Sequence, residues 1–170
     1  MLCPTFYTIG PSKCPGCGGP QFSSKHPSCS ILTCCMNNNI ETCADCDKFP
    51  CEKIENWDKG DSFVTHKACL INLNKVRMNG IAIFLEQQDI RNQILKELLD
   101  SFNEGRSKSF FCIASTLLPI DDLHNCIITV KDVIKERRID FNDVKTKSKL
   151  IRDAINQIAI KTKIDLKLRK

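Results

Sequence analysis

The sequence predicts a mostly α-helical protein whose N-terminus is a small, irregular, cysteine-rich zinc-binding module set on a helical body. Three observations predict it. Nine of the twelve cysteines stand in the first 51 residues, and only Cys69, Cys112 and Cys126 follow. Gly, Pro, Ser and Asn cluster among those nine, as in Pro15-Gly16, Gly18-Gly19-Pro20 and Asn37-Asn38-Asn39. From about residue 62, apolar residues recur with a period near 3.6, and Gly and Pro become rare. The expected organisation is a metal-binding module over residues 1–60 and a helical domain with a basic end over residues 61–170.

Residues 1–60 read as loops and tight turns with little helical periodicity. Such a segment buries too little apolar area to fold unaided, so cross-links must supply the difference. Cys14-Pro15-Gly16-Cys17-Gly18-Gly19 carries the sharpest signal. Two thiolates in a Cys-x-x-Cys turn reach one ion, and amides beyond the first cysteine can point at its sulfur. The proline restricts one φ, and the glycines permit positive φ past the second cysteine. Cys43-Ala44-Asp45-Cys46 is a second knuckle. Two such pairs in a short segment are a metal pattern.

Structural zinc takes four ligands. Eight cysteines, Cys14, Cys17, Cys29, Cys34, Cys35, Cys43, Cys46 and Cys51, would fill two zinc sites. One pairing joins Cys14, Cys17, Cys29 and Cys34. It leaves Cys43, Cys46 and Cys51 with a fourth ligand from Cys35, Cys3 or His26. A zinc-ribbon pairing of Cys14 and Cys17 with Cys43 and Cys46 is the rival, and spacing does not decide between them. Iron–sulfur ligation by the same thiolates is the chemical alternative, although the closely packed cysteine run of bacterial ferredoxins is absent. A site closed by four thiolates contributes folding energy and does not activate water.

The helical body follows in order. The periodicity predicts a helix over about 63–79, stopped at Gly80. A second covers about 81–102, with Ile83, Phe84, Ile90, Ile94, Leu95 and Leu98 on one side. The apolar stretch Ser109 to Leu118 reads as a buried helix, with Cys112 in the core. Pro119 opens a helix over 120–138, with Asp121 and Asp122 in its first turn and Lys135, Arg137 and Arg138 in its last. A final amphipathic helix over 142–161 sets Val144, Leu150, Ile151, Ile155 and Ile158 on one face. The alternation in Ile164-Asp165-Leu166-Lys167-Leu168 predicts a short strand.

No apolar run approaches a membrane span, and Met1 to Pro11 shows no secretory signal. The expected compartment is therefore cytoplasmic and reducing, where dense cysteines mean metal more often than disulfides. Charge is uneven. Residues 131–170 carry thirteen Lys/Arg and six Asp/Glu, a net +7 against +5 for the whole chain. That excess suits an acidic macromolecular partner or nucleic acid. Only Phe141 supplies an aromatic ring there, whereas single-strand binders interleave several with their cations. His66 and Cys69, three apart on the predicted helix, would face the same way as a ligand or thiol–imidazole pair. Gly105-Arg106-Ser107-Lys108-Ser109 precedes a helix and offers amides and cations to an anion.

The order Cys14-Pro-Gly-Cys17, Cys29-Ser-Ile31-Leu-Thr-Cys34 and Cys43-Ala-Asp-Cys46-Asp-Lys-Phe49-Pro50-Cys51-Glu52 resembles the bacterial and archaeal family named domain of unknown function 3795. The stretch from His66 through Gln87 and Gln88 is similar to it as well. The chain departs at the family's opening Cys-Gly-Leu-x-Cys segment, where only Cys3 stands. The resemblance implies metal binding and little else, since the family's function is not established. The expected function is that of a zinc-stabilised binding or adaptor module with an unknown partner. Nucleic-acid binding through the basic end and an iron–sulfur or metal-dependent redox enzyme are the alternatives.

Overall fold

The computed structural model describes residues 19–25, 28–62 and 64–169, and every described element is helical. The chain divides into two compact units, one running to Glu86 and including the C-terminal Leu168 and Arg169, the other spanning Gln87–Lys167.

In the first unit, α1 is a single turn, Phe22–Lys25, and α2 is Ser30–Asn37. The second of these corrects the reading of residues 1–60 as loops and turns. The Leu32 amide donates to the Cys29 sulfur at 3.5 Å, so a thiol caps a helix start. A 3-10 turn over Cys43–Asp45 follows, closed by a capping box. Thr42 Oγ1 accepts from the Ala44 amide at 3.1 Å, and Asp45 Oδ2 accepts from the Thr42 amide at 2.8 Å. Helix α3 is Cys69–Asn79, shorter at its start than periodicity suggests. Asp61 explains the late start. Its Oδ1 accepts the His66 amide at 2.7 Å, which ties His66 back to Asp61 ahead of the helix. Gly80, at φ +84°, ends α3 and lets the chain re-enter a helix at once.

That helix, α4, is Ile81–Phe102, the predicted span. Its expected apolar face is only half covered. Ile94, Leu95, Leu98 and Phe102 are buried, whereas Ile83 and Ile90 are 48% and 44% exposed. The second unit adds α5 (Lys108–Leu117), α6 (Ile120–Glu136) and α7 (Val144–Thr162), each within two residues of its predicted bounds. Its core is built at helical spacing: Leu123, Ile127 and Val130 from α6, and Ile151, Ile155 and Ala159 from α7, with Phe111, Cys112, Ala114 and Leu118 from the α5 region. Fully burying each large aliphatic or aromatic side chain contributes roughly 2 kcal/mol. Cys112 is a core residue, as expected; Cys126 is one as well, and burial pushes its thiol up to about 11. Arg91 is largely buried on α4, and its Nη1 donates to the carbonyls of Ser115 and Leu118 at 2.7 and 2.9 Å. It thereby satisfies the orphan carbonyls at the end of α5.

The expected strand over 164–168 is not formed, and no strand occurs among the described residues. The tail instead belongs to the first unit. The Arg169 amide donates to Asp61 Oδ2 at 2.7 Å, its Nε lies 3.4 Å from the same oxygen, and its Nη2 donates to the Asp58 carbonyl. The Asp61 side chain has no solvent-exposed surface. Burial alone would raise its pKa, but the amides of Arg169 and His66 and the Arg169 guanidinium outweigh that and hold it at about 2. No described helix is long and apolar enough to cross a membrane.

Candidate metal centre

Helix α2 carries Cys34 and Cys35 on successive positions, which turns them about 100° apart. Cys35 faces inward at 8% exposure, and its sulfur lies 3.8 Å from that of Cys43. That separation is far too long for a disulfide, whose sulfurs sit about 2.05 Å apart. It matches the edge of a tetrahedron. Two sulfurs bound to one zinc at about 2.3 Å are roughly 3.8 Å from each other. The capping box of the 3-10 turn fixes Cys43 on its side of this pair, and the Cys29-capped helix fixes Cys35 on the other.

The charges in the pair are costly without a cation. The Cys43 thiol is pushed up to about 12, first by burial, then by its hydrogen bond to and charge repulsion with Cys35, and then by repulsion from Cys51 and Cys34. A cation bound between the sulfurs is what would reverse that order. A cleft of about 750 Å³, which Cys35 and Cys43 themselves do not line, is lined by Cys34, Cys46 and Cys51, with Asp45 and Lys48 at its wall. Donors reach the cysteines individually. Asn38 Nδ2 lies 3.7 Å from the Cys34 sulfur and 2.8 Å from the Cys34 carbonyl. The second knuckle is anchored from α3. Arg77 Nη1 donates to the carbonyls of Cys46 and Phe49 at 3.4 and 3.3 Å, and its guanidinium lies 5.9 Å from the Phe49 ring centre. Nothing in the local spacing announced Arg77, 31 residues beyond Cys46.

Of the eight predicted ligands, Cys35 and Cys43 are brought together, and Cys34, Cys46 and Cys51 share the adjoining cleft. Cys29 serves as the cap of α2. Cys14 and Cys17 lie outside the described residues, as do the other ligand candidates Cys3 and His26. Among the described residues, no group of three or more Cys, His, Asp or Glu side chains converges tightly enough to hold an ion by itself. The residues present fit a tetrahedral ion at one edge, the Cys35–Cys43 pair.

The His66–Cys69 pairing on a shared helix is corrected by the structure. Cys69 begins α3, whereas His66 lies in the preceding turn. His66 Nδ1 donates to the Gly60 carbonyl at 3.0 Å, its Nε2 lies 3.4 Å from Ser62 Oγ, and its ring stacks on Trp57 at 5.2 Å. Burial pushes the Cys69 thiol up, opposite to the shift an activated nucleophile needs. In the segment before α5, where the sequence offers amides and cations to an anion, a carboxylate of the chain itself gathers the serine hydroxyls. Glu104 accepts from Ser107 Oγ at 2.9 Å and from Ser148 Oγ at 2.5 Å, and Arg152 Nη1 donates to Ser107 Oγ at 2.9 Å.

The first unit is thus a cysteine-rich module in which a thiol-capped helix and a capped 3-10 turn bring one pair of sulfurs together. Residues 5–56 match the family model described as "Protein of unknown function (DUF3795)", the family whose cysteine order this segment resembles. The match ends before the segment from His66 through Gln88. No curated protein and no solved structure matches the chain.

Proposed function

We propose that the first unit is a zinc-stabilised binding module in which thiolates hold the metal and the protein surface serves an as yet unknown macromolecular partner. The observation that carries this reading is the 3.8 Å separation of the Cys35 and Cys43 sulfurs, the edge of a tetrahedral thiolate site. It favours Cys35, over Cys3 and His26, as the companion of Cys43, Cys46 and Cys51. Cys29 and Cys34 then remain for the knuckle of Cys14 and Cys17. A cubane iron–sulfur cluster takes one thiolate per iron, which spreads the sulfurs further apart than a single shared ion does. Bound metal would supply folding free energy to a segment whose described core is little more than Cys35, Ala44, Ile54, Val64 and Val76.

Metal stoichiometry on anaerobically purified protein tests the reading, by elemental analysis with native mass spectrometry. Two zinc ions per chain are expected. Iron with labile sulfide would replace this reading by a redox one, and a metal-free protein with its cysteines oxidised to disulfides would end it.

A further inference from the structure

The second unit carries a surface that the metal site does not explain. Helices α6 and α7 pack together and are joined by the short segment 137–143, which forms a corner. Phe141 stands on this corner at 85% exposure, the most exposed large apolar side chain among the described residues. It does not hang free. Lys147 Nζ donates to the Phe141 carbonyl at 2.7 Å and lies 4.7 Å from the ring centre. Lys147 is itself 8% exposed, so a buried ammonium holds the base of an exposed ring. An aromatic ring held ready in solvent loses little freedom when something stacks on it.

Both helices bring cations to this corner of the chain. Arg137 and Arg138 close α6, and Lys145 and Lys149 lie one helical turn apart at the start of α7. All four are exposed, and none is in a salt bridge among the described residues. The acids of the corner bond to the backbone, and Asp143 also attracts Lys145 and Lys147. Asp140 Oδ1 accepts the Asn142 amide at 2.7 Å, and Asp143 Oδ1 accepts the Thr146 amide at 3.0 Å.

We infer that the α6–α7 corner binds single-stranded nucleic acid, with a base stacked on Phe141 and the flanking phosphates met by Arg137, Arg138, Lys145 and Lys149. Stacking needs one ring face and no sequence-specific donor, and the phosphate contacts need exposed cations along the strand's path. The corner offers an exposed ring and four exposed cations. An anionic bilayer is the poorer occupant. One phenyl ring buries little apolar area, and Asp140 and Asp143 beside it would enter the headgroup layer with it. The inference is independent of the metal, since every residue it uses belongs to the second unit.

Fluorescence anisotropy tests it on the full zinc-containing chain, with labelled oligo-uridine and oligo-thymidine at low salt and then through a salt series. Binding that weakens with salt is expected. Phe141→Ala should weaken it roughly 10-fold at unchanged salt slope. Phe141→Leu keeps the apolar bulk without the π-face and should not restore it. Lys145→Gln with Lys149→Gln should flatten the salt slope by about 1.4. Absence of binding at low salt would overturn the inference. So would affinity indifferent to Phe141→Ala, or a preference for duplex over single strand. Capture by phosphatidylserine vesicles, with Phe141→Leu as good as wild type, would assign the corner to a membrane surface instead.

Discussion

Glu104→Gln removes one charge from a nearly isosteric side chain, and the structure sets its effect. Both carboxylate oxygens are used, Oε1 by Ser107 and Oε2 by Ser148, and both serines are almost fully buried. Ser107 is not free to turn around, because its oxygen already accepts from Arg152. A glutamine offers one acceptor and places an amide donor against the second hydroxyl. One buried hydrogen bond to a charged group is therefore lost, about 2 kcal/mol. The Arg152–Glu104 ion pair, at 3.9 Å with Arg152 41% exposed, adds well under 1 kcal/mol. The expected loss is about 2 kcal/mol, against less than 1 kcal/mol for Arg152→Gln. The assay is urea unfolding followed by far-UV circular dichroism. The pH dependence supplies a second check. Burial would raise the Glu104 pKa, but the Ser148 and Ser107 hydroxyls and Arg152 outweigh it and hold the carboxyl below its usual range. A depressed carboxyl stabilises the fold above its unfolded pKa, about 4.3, and loses that contribution as pH falls through the folded value. The gap between wild type and Glu104→Gln should be full at neutral pH and shrink below about pH 4. A loss under about 0.5 kcal/mol, or a gap that widens in acid, would refute the reasoning.

Other perturbations have equally definite outcomes. Cys35→Ser or Cys43→Ser should lower the zinc content and expose residues up to about Asp61 to protease. The α5–α7 core should stay protected from hydrogen exchange; unchanged metal content would contradict the assignment. Asp61→Asn should free the C-terminal tail, read as faster exchange of the Arg169 and His66 amides. Because the Asp61 carboxyl titrates at about 2, its contribution of roughly 2 kcal/mol is complete above about pH 4 and disappears as pH falls through 2. Arg91→Met removes two donors from the last carbonyls of α5 and should cost about 2 kcal/mol in denaturant unfolding. The Ser115 hydroxyl is buried and has no hydrogen-bond partner among the described residues. Ser115→Ala should accordingly be neutral or stabilising by up to about 1 kcal/mol in the same assay.

The helical body was largely legible in the order of residues. Period-3.6 apolar spacing, Gly80 and Pro119 bound α4 and α6, because local sterics and backbone hydrogen bonding act over one or two turns. Exposure was less legible. Ile83 and Ile90 share the apolar side of α4 with Ile94, Leu95 and Leu98, yet only the latter are covered. Periodicity tells which side chains point the same way, and what lies opposite them is a tertiary matter. Ser30–Asn37 was hidden by its short length and by the turn-forming residues around it. Its start depends on a sulfur, Cys29, acting in place of a hydroxyl. Alternation over 164–168 suggested a strand, but a strand needs a partner edge, and Arg169 found a buried carboxylate instead.

By itself, the sequence determined the helical class of residues 69–162, the crowding of thiols before residue 52, and the +7 charge of the last forty residues. These follow from local spacing, turn chemistry and composition. Only the tertiary structure decided that Cys35 is the neighbour of Cys43, that Arg77 reaches back to the second knuckle, and that Asp61 binds the chain's end 108 residues away. It also set Phe141 outward at the α6–α7 corner. Such contacts bring together groups far apart in the chain. Their free energies depend on distances and burial that appear only once the helices have packed.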